Sequence, residues 1–175
     1  QMSGALTGAA SLFPAPVSFD VVGYGCTSAT SVIGTDKVTE LISKGCDTTH
    51  VTEPVSALLN ACRVLNVRKI AFLSPYVEDV SATLRSLLNG NGLEIVSFGS
   101  FNESSESKVA RITPNSIRQA AVDLVKESEA EVVFLSCTNL QTLDIIKDLE
   151  DAIGIPVLSS NLVLYVSLSL IKPTP

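Results

Sequence analysis

The sequence is poor in basic and aromatic residues. Its 175 residues include 12 Lys and Arg against 18 Asp and Glu, which gives a formal net charge of −6, and it has no Trp. Such a chain has no basic surface to attract phosphates, and few aromatic rings are available to stack on bases. We therefore expect no nucleic-acid partner.

Long apolar runs are also missing. The longest, from Leu162 to Ile171, is interrupted by Ser167 and Ser169, and it is shorter than the roughly 18 residues that a membrane helix needs. The N-terminal segment QMSGALTGAASLFPAP is small and apolar, but it lacks the basic residues of a secretory signal. We therefore expect no membrane span and a cytoplasmic location.

Cysteine and histidine are scarce, which limits the chemistry. The four cysteines, Cys26, Cys46, Cys62 and Cys137, are too few for a disulfide framework and form no C-x-x-C pair. A Ser-His-Asp triad would have to use the only histidine, His50. We interpret that residue as a solvated part of the polar connection GCDTTHVTEP. The sequence predicts reduced thiols, no metal and no organic cofactor, and it leaves the roles of Cys46 and His50 open.

Short β-branched runs alternate with longer amphipathic stretches, a pattern typical of a parallel sheet with crossover helices. Helices are predicted after the caps Thr52 and Thr113, from about Val80 to Gly90, and from about Thr142 to Gly154. Cys62 lies on the apolar stripe of the first of these helices, so we interpret it as a core residue. The runs are almost continuously hydrophobic, which indicates strands buried on both faces. The predicted strands are 19–25, 69–75, 93–99, 131–136 and 156–160.

One sequence element occurs twice, in FDVVGYGCTSAT and in EVVFLSCTNLQT. Aligned on Cys26 and Cys137, both read as an acidic residue, Val, Val, three residues, Cys and Thr. Each cysteine follows a predicted strand at the point where the next helix would begin. Ligands bind at this edge of an open parallel sheet, because backbone N–H groups and helix dipoles collect there. Simple reuse of a strand and turn is the alternative interpretation, but the placement favours a functional site.

The surroundings of the two cysteines suit acid–base or nucleophilic chemistry on a small anion. A thiol at a helix N-terminus is expected to have a lowered pKa. Two thiols on facing walls of a cleft could move protons on opposite faces of a carbon, or act as nucleophile and acid. Hydroxyl and amide donors that suit a carboxylate follow each cysteine. They are Thr27 and Ser28 after Cys26, and Thr138 and Asn139 after Cys137.

The stretches GYGCTSAT, VTEP, SPY (74–76), LSCTNLQT and VLSSN (157–161) occur in this order. They resemble the aspartate/glutamate racemase superfamily, and within it the branch of maleate cis-trans isomerases and arylmalonate decarboxylases. The resemblance covers almost the whole chain. It implies an α/β fold of two pseudo-twofold-related lobes with parallel sheets flanked by helices, and an active site in the cleft between them. The first lobe would comprise residues 1–52 plus 156–175, and the second residues 53–155.

The resemblance also implies roles for individual residues. In the isomerase branch, the cysteine that matches Cys26 is the nucleophile that adds to the double bond of maleate, and the thiol that matches Cys137 handles the proton. Tyr76 would donate a hydrogen bond to a substrate carboxylate. Asn161 would lie near the cleft, although Asn before a helix is also a common N-cap. The implied partners are a small mono- or dicarboxylate substrate and further copies of the chain in a homo-oligomer.

Alternative functions remain open. An aspartate/glutamate-type racemase would use both thiols, whereas an arylmalonate decarboxylase needs one. Relatives begin with a further strand and a loop that contributes a substrate-binding asparagine, whereas this sequence opens in what reads as the following helix. The alternative outside the enzymes is therefore a carboxylate-binding relative with an incomplete site. A thiol redox protein is disfavoured, because a substrate-sized gap would keep the sulfurs beyond bonding distance.

Overall fold

A computed structural model describes residues 2–171 of the chain. Strands and helices alternate along it, and within these residues no helix is both long and apolar enough to cross a bilayer. The strands are β1 (Phe19–Gly23), β2 (Thr48–Thr52), β3 (Lys69–Tyr76), β4 (Glu94–Glu103), β5 (Val132–Leu135) and β6 (Val157–Ser159). The helices are α1 (Met2–Ala10), α2 (Thr27–Ile33), α3 (Thr35–Ser43), α4 (Pro54–Leu65), α5 (Glu78–Gly90), α6 (Glu106–Val109), α7 (Pro114–Val125), α8 (Ile146–Ile153) and α9 (Ser160–Leu170), and a 3₁₀ turn (Leu143–Ile145) leads into α8.

The strands form two parallel sheets. One contains β1 and β2, and the other has the order β4-β3-β5-β6. In the larger sheet β3 is central, with Phe72 paired to Phe98 on one side and to Phe134 on the other. Parallel sheets flanked by helices confirm the predicted fold class. The pseudo-twofold relation of two lobes stays a prediction.

The core lies on both faces of the larger sheet, because neighbouring residues of a strand point to opposite faces. Phe72 and Phe134 pack in a cluster with α4 and α5. Their neighbours Leu73 and Leu135 pack in a second cluster with α7 and α8. Cys62 is buried in the first cluster, as predicted, and burial raises the pKa of its thiol to about 11. It is a packing residue with a neutral side chain at physiological pH.

The connection around His50 is a strand and not a loop. Residues 48–52, with the sequence TTHVT, form β2 and pair with β1, with Val21 opposite His50. Thr and Val favour extended backbone, but the run is short and largely polar, so hydrophobicity alone does not reveal it. The His50 side chain is exposed, as the sequence predicts.

The assignment of residues 156–175 to the first lobe stays a prediction, and the structure places the last strand in the larger sheet. Val133 pairs with Val157, and Leu135 with Ser159, so β6 extends the larger sheet beyond β5. The three residues of β6 are fully or nearly buried. Buried backbone N–H and C=O groups need hydrogen-bond partners, and the edge of β5 provides them. The helix that follows, α9, packs on α4 and reaches β1 and β2. Gln1 and residues 172–175 of the predicted first lobe lie outside the described residues.

The helix starts show one predicted cap and one unexpected cap. Thr113 accepts a hydrogen bond from the N–H of Ser116 and caps α7, as predicted. At α4 the cap is Glu53 and not Thr52, because the Glu53 carboxylate accepts the N–H groups of residues 55 and 56 at 2.6 and 2.9 Å. The Thr52 hydroxyl lies 2.6 Å from the Ser167 hydroxyl instead. It therefore ties the end of β2 to α9.

Candidate active site

The two motif cysteines lie beyond the carboxyl ends of parallel strands. Cys26 follows β1 and is the N-cap residue of α2, and Cys137 follows β5. Tyr76 is the last residue of β3, the neighbour of β5. This edge is where open parallel sheets bind ligands, so the fold places all three side chains at the expected location.

Hydrogen bonds join the two Cys-Thr turns directly. The hydroxyl of Thr138 donates to the carbonyl oxygen of Gly25 at 2.8 Å. The hydroxyl of Ser160, at the start of α9, accepts from the Thr27 hydroxyl at 2.8 Å and from the N–H of Cys137 at 3.0 Å. Thr138, which follows Cys137, is therefore bonded to the Cys26 turn. Thr27, which follows Cys26, is bonded to the serine that bridges both turns. The repeated element comes together in three dimensions.

The Cys137 thiol is buried and held in a strained turn. Its residue is 4% exposed and has a φ of +108°, which residues with a Cβ rarely adopt. Its sulfur accepts the N–H of Asn139 at 3.3 Å. A turn follows Cys137 and not a helix, so the expectation that a helix N-terminus lowers its pKa is wrong. Burial raises the pKa of this thiol, although hydrogen bonds from Tyr76 and Asn139 oppose the shift.

Tyr76 connects Cys137 to a carboxylate. Its hydroxyl lies 3.1 Å from the Cys137 sulfur, and 3.1 and 3.2 Å from the two carboxylate oxygens of Glu106. Burial raises the pKa of Tyr76 far above its usual value, and the hydrogen bond with Cys137 adds to the shift. The hydroxyl has a single proton, which points to Glu106 when the Cys137 S–H donates to the Tyr76 oxygen. The arrangement is a proton chain from Cys137 through Tyr76 to Glu106.

Cys26 is more accessible than Cys137. It is half-buried, and its sulfur lies 3.8 Å from the hydroxyl of Ser28. The hydroxyl of Tyr24 is buried nearby and has no hydrogen-bond partner of ordinary geometry among the described residues. Burial raises the pKa of Tyr24 to about 12, and the neighbouring Cys26 adds to this shift. Each motif cysteine therefore has a tyrosine hydroxyl in its vicinity.

The other predicted site residues are near the cysteines, but several hydroxyls and amides already have partners. Thr27 is buried and donates to Ser160, so its hydroxyl proton is not available to a substrate. The side-chain amide of Asn139 donates to Glu106. Asn161 lies within the first turn of α9, which is capped by Ser159, and its amide donates to the carbonyl of Leu140 at 3.2 Å. Asn161 thus ties α9 to the Cys137 turn and is not the N-cap.

Two residues of the site are missed by the sequence analysis. Ser160 stands inside the VLSSN stretch, so its motif is recognised, but nothing local shows that its hydroxyl bridges both cysteine turns. Glu106 lies in the polar segment FNESSES, where one carboxylate looks like any other surface charge. Both residues are identified by contacts between distant parts of the chain, and not by their spacing in the sequence.

A separate groove lies away from the motif cysteines and has a different chemistry. It encloses about 550 Å³ between β2, α4 and α9, and its walls include Ala57, Leu162 and Val166. Neither motif cysteine lines it, and an apolar wall does not suit a small carboxylate. In residues 2–171, no group of three or more His, Cys, Asp or Glu side chains is placed to hold a metal ion.

Comparison with known proteins identifies relatives of the chain. A family model described as arylmalonate decarboxylase matches residues 19–165. The chain is 24% identical to maleate isomerase of Geobacillus stearothermophilus over 148 residues, which cover 81% of this chain and 59% of that protein. It is 30% identical to arylmalonate decarboxylase of Bordetella bronchiseptica over 107 residues, which cover 61% of this chain and 45% of that protein. The chain therefore spans less than two thirds of the length of these relatives.

A solved structure shows the same fold. The maleate cis-trans isomerase of Nocardia farcinica, described as a cysteine-to-serine mutant with a covalently bound succinylcysteine intermediate, superposes with a TM-score of 0.79. The two sequences are 23% identical, and the match covers 97% of this chain and 70% of that chain. Together with the family match, this similarity confirms the resemblance on which the sequence analysis relies.

Proposed function

The chain belongs to the arylmalonate decarboxylase family, and from this premise we propose that it is a cofactor-independent isomerase or racemase of a small carboxylic acid. Cys26 and Cys137 would form the catalytic pair. The favoured reaction is cis-trans isomerisation of an unsaturated acid. A racemase that moves a proton between the two thiols is the related alternative.

The observation that carries the proposal is the hydrogen-bonded junction between the two Cys-Thr turns. Ser160 bridges Thr27 and the backbone of Cys137, and Thr138 bonds to the residue before Cys26. This junction supports two thiols that flank one bound molecule. An arylmalonate decarboxylase uses a single cysteine, so the presence of both favours chemistry that needs two.

The difference between the two thiols supports a division of roles. Cys26 is half-buried and accessible to a substrate, which suits a nucleophile. The pKa of Cys137 is raised by burial, so this thiol keeps its proton at neutral pH. A group that keeps its proton suits a general acid. Tyr76 lies within hydrogen-bond distance of Cys137 and would help to position it.

Isomerisation would proceed by addition, rotation and elimination. Cys26 attacks as the thiolate, its proton already released to solvent: the sulfur forms a C–S bond with one carbon of the double bond, and the π electrons move to the other carbon, next to a carboxylate. The Cys137 S–H protonates that carbon. Rotation about the new single bond follows, Cys137 removes a proton, and the C–S bond breaks to return the electron pair to sulfur. The steps contain no net oxidation, and the relative with a succinylcysteine intermediate carries an adduct of this kind.

An NMR assay in deuterated water tests the proposal. Maleate, aspartate, glutamate and an arylmalonate are incubated with the wild-type chain, because one spectrum reports isomerisation, solvent exchange on racemisation, and decarboxylation. We expect Cys26→Ala to abolish turnover and Cys137→Ala to reduce it about 10²- to 10⁴-fold, as for loss of a general acid. Cys46→Ala is the control, since the Cys46 side chain donates to the carbonyl of Ile42 and packs against an apolar cluster that contains neither motif cysteine.

Two results would overturn the proposal. One is turnover by the Cys26→Ala or Cys137→Ala variant at the wild-type rate. The other is a folded wild-type chain that acts neither on the four acids nor on their half-amides, which would favour a carboxylate-binding relative without catalysis.

A further inference from the structure

Glu106 is exposed to solvent, and its carboxylate places a negative charge at the Tyr76 side of the candidate site. Its carboxylate accepts hydrogen bonds from the Tyr76 hydroxyl at 3.1 and 3.2 Å and from the side-chain amide of Asn139. Tyr76 is in turn 3.1 Å from the Cys137 sulfur. The two donors that the sequence analysis assigns to a substrate carboxylate are therefore bonded to a carboxylate of the protein.

The segment that carries Glu106 is anchored. The Glu103 carboxylate accepts the N–H groups of Ser104 and Ser105, each at 2.9 Å. Val109, at the end of α6, is fully buried in the cluster that also contains Cys137. Glu103 itself lies opposite Tyr76 in the larger sheet, so the backbone on both sides of Glu106 is fixed to the body of the molecule. The Glu106 carboxylate is therefore already in position when a substrate binds.

Within the described part of the chain, the charge of Glu106 has no cationic partner. Among the ion pairs of residues 2–171, none involves Glu106, and the nearby Lys108 pairs with Glu103. A second carboxylate at the Tyr76 end of the site would face an uncompensated like charge at short range. It would also compete for the single proton of the Tyr76 hydroxyl. An N–H donor in the same position would bond to Glu106 and be attracted to it.

We propose that Glu106 determines substrate specificity by selecting a small acid with one carboxylate and, at its other end, an N–H donor such as an amide. The carboxylate lies toward the Cys26 and Ser28 side, and the N–H group lies against Glu106. A dicarboxylate is a poor substrate. This inference rests on the proposed function, and it replaces a diacid by its half-amide as the substrate class.

The experiment compares two cis acids of nearly the same shape, maleate with two carboxylates and maleamate with one carboxylate and one amide. We expect the wild-type chain to isomerise maleamate with a kcat/KM roughly tenfold or more above that for maleate, since like charges at this range are costly. Glu106→Gln removes the charge and offers an amide N–H, so the preference should fall by the same factor. Glu127→Gln is the control, because it removes one charge from an exposed residue after α7.

A binding measurement separates this inference from the proposed reaction. Calorimetric Kd values are measured for succinate and succinamate, which have no double bond for a thiol to attack. Tighter binding of succinamate by the wild-type chain, lost in Glu106→Gln and kept in Glu127→Gln, supports the inference even if no acid is isomerised. Equal binding of the two ligands, or a preference that Glu106→Gln leaves unchanged, overturns it even if the chain proves to be an isomerase.

Discussion

At the scale of single residues, the two cysteines of the site differ although their sequence motifs match. Cys26 is half-buried at the start of α2, whereas Cys137 is buried in a turn with a positive φ. A motif specifies the thiol and its small neighbours. It does not specify how much solvent reaches the sulfur, and burial is the cause that raises the pKa of Cys137.

The protonation of Cys137 gives a prediction for pH dependence. A thiol whose pKa is raised keeps its proton up to a higher pH than usual, so activity that needs the Cys137 proton should fall only above pH about 8.5, the ordinary thiol pKa. When Cys137 loses its proton, the Tyr76 O–H can turn from Glu106 to the sulfur, and this hydrogen bond lowers the pKa of Cys137. Tyr76→Phe should therefore move the Cys137 titration to still higher pH, measured as the pH dependence of its alkylation followed by peptide mass analysis. A Cys137 that titrates below the ordinary thiol value would contradict this reading.

Ser160 gives a second prediction at this scale. Ser160→Ala leaves the buried Thr27 hydroxyl and the buried N–H of Cys137 without their acceptor. We expect a loss of stability of about 2 kcal/mol or more, and a kcat that falls while KM changes little, because the two turns lose their common anchor. Denaturation curves and kinetics measure the two effects.

Two variants of α9 distinguish this role from general packing. Ser160→Thr keeps the hydroxyl and should restore most of kcat. Ser169→Ala removes a hydroxyl that is exposed and bonded only to the carbonyl of Tyr165 in its own helix, so it should leave kcat unchanged. A Ser160→Ala variant as active as the wild type would show that the bridge has no role in positioning the cysteines.

At the scale of elements, the helix start at α4 is the clearest case of a side chain that defines an element. The buried Glu53 carboxylate accepts two N–H groups that would otherwise have no partner. Glu53→Ala should reduce the free energy of unfolding by about 2 kcal/mol, more than the roughly 1 kcal/mol expected for a single exposed cap such as Thr113→Ala. Urea unfolding of both variants checks the order. Equal losses would mean that the buried cap adds nothing beyond an ordinary one.

The elements also show which parts of the fold a sequence can reveal. β3 and β5 are apolar and buried on both faces, so their hydrophobicity predicts them. β2 is short and polar, and only its pairing with β1 makes it a strand. The assignment of β6 to a sheet depends on its pairing with β5, which is distant in sequence. The local sequence pattern therefore predicts the strongly buried strands, whereas only the structure shows which strands pair with each other.

At the scale of the whole molecule, the candidate site is assembled from five separate parts of the chain. The turn after β1, the end of β3, the start of α6, the turn after β5 and the start of α9 all contribute. Sequence motifs predict the cysteines and their neighbours because these side chains lie next to strand ends. They do not predict Glu106, which lies in a polar segment and reaches the site only through its contacts with Tyr76 and Asn139.

The central claim is that the Cys26 and Cys137 sulfurs flank a gap of the size of a small acid. The most direct test is treatment of the folded chain with 1,3-dibromoacetone, whose two reactive carbons can join two thiols across a short distance. We predict one reagent per chain, a bridged peptide pair that contains Cys26 and Cys137, and protection by the substrate. Bridging of other cysteines, or two separate attachments without a bridge, would contradict the account.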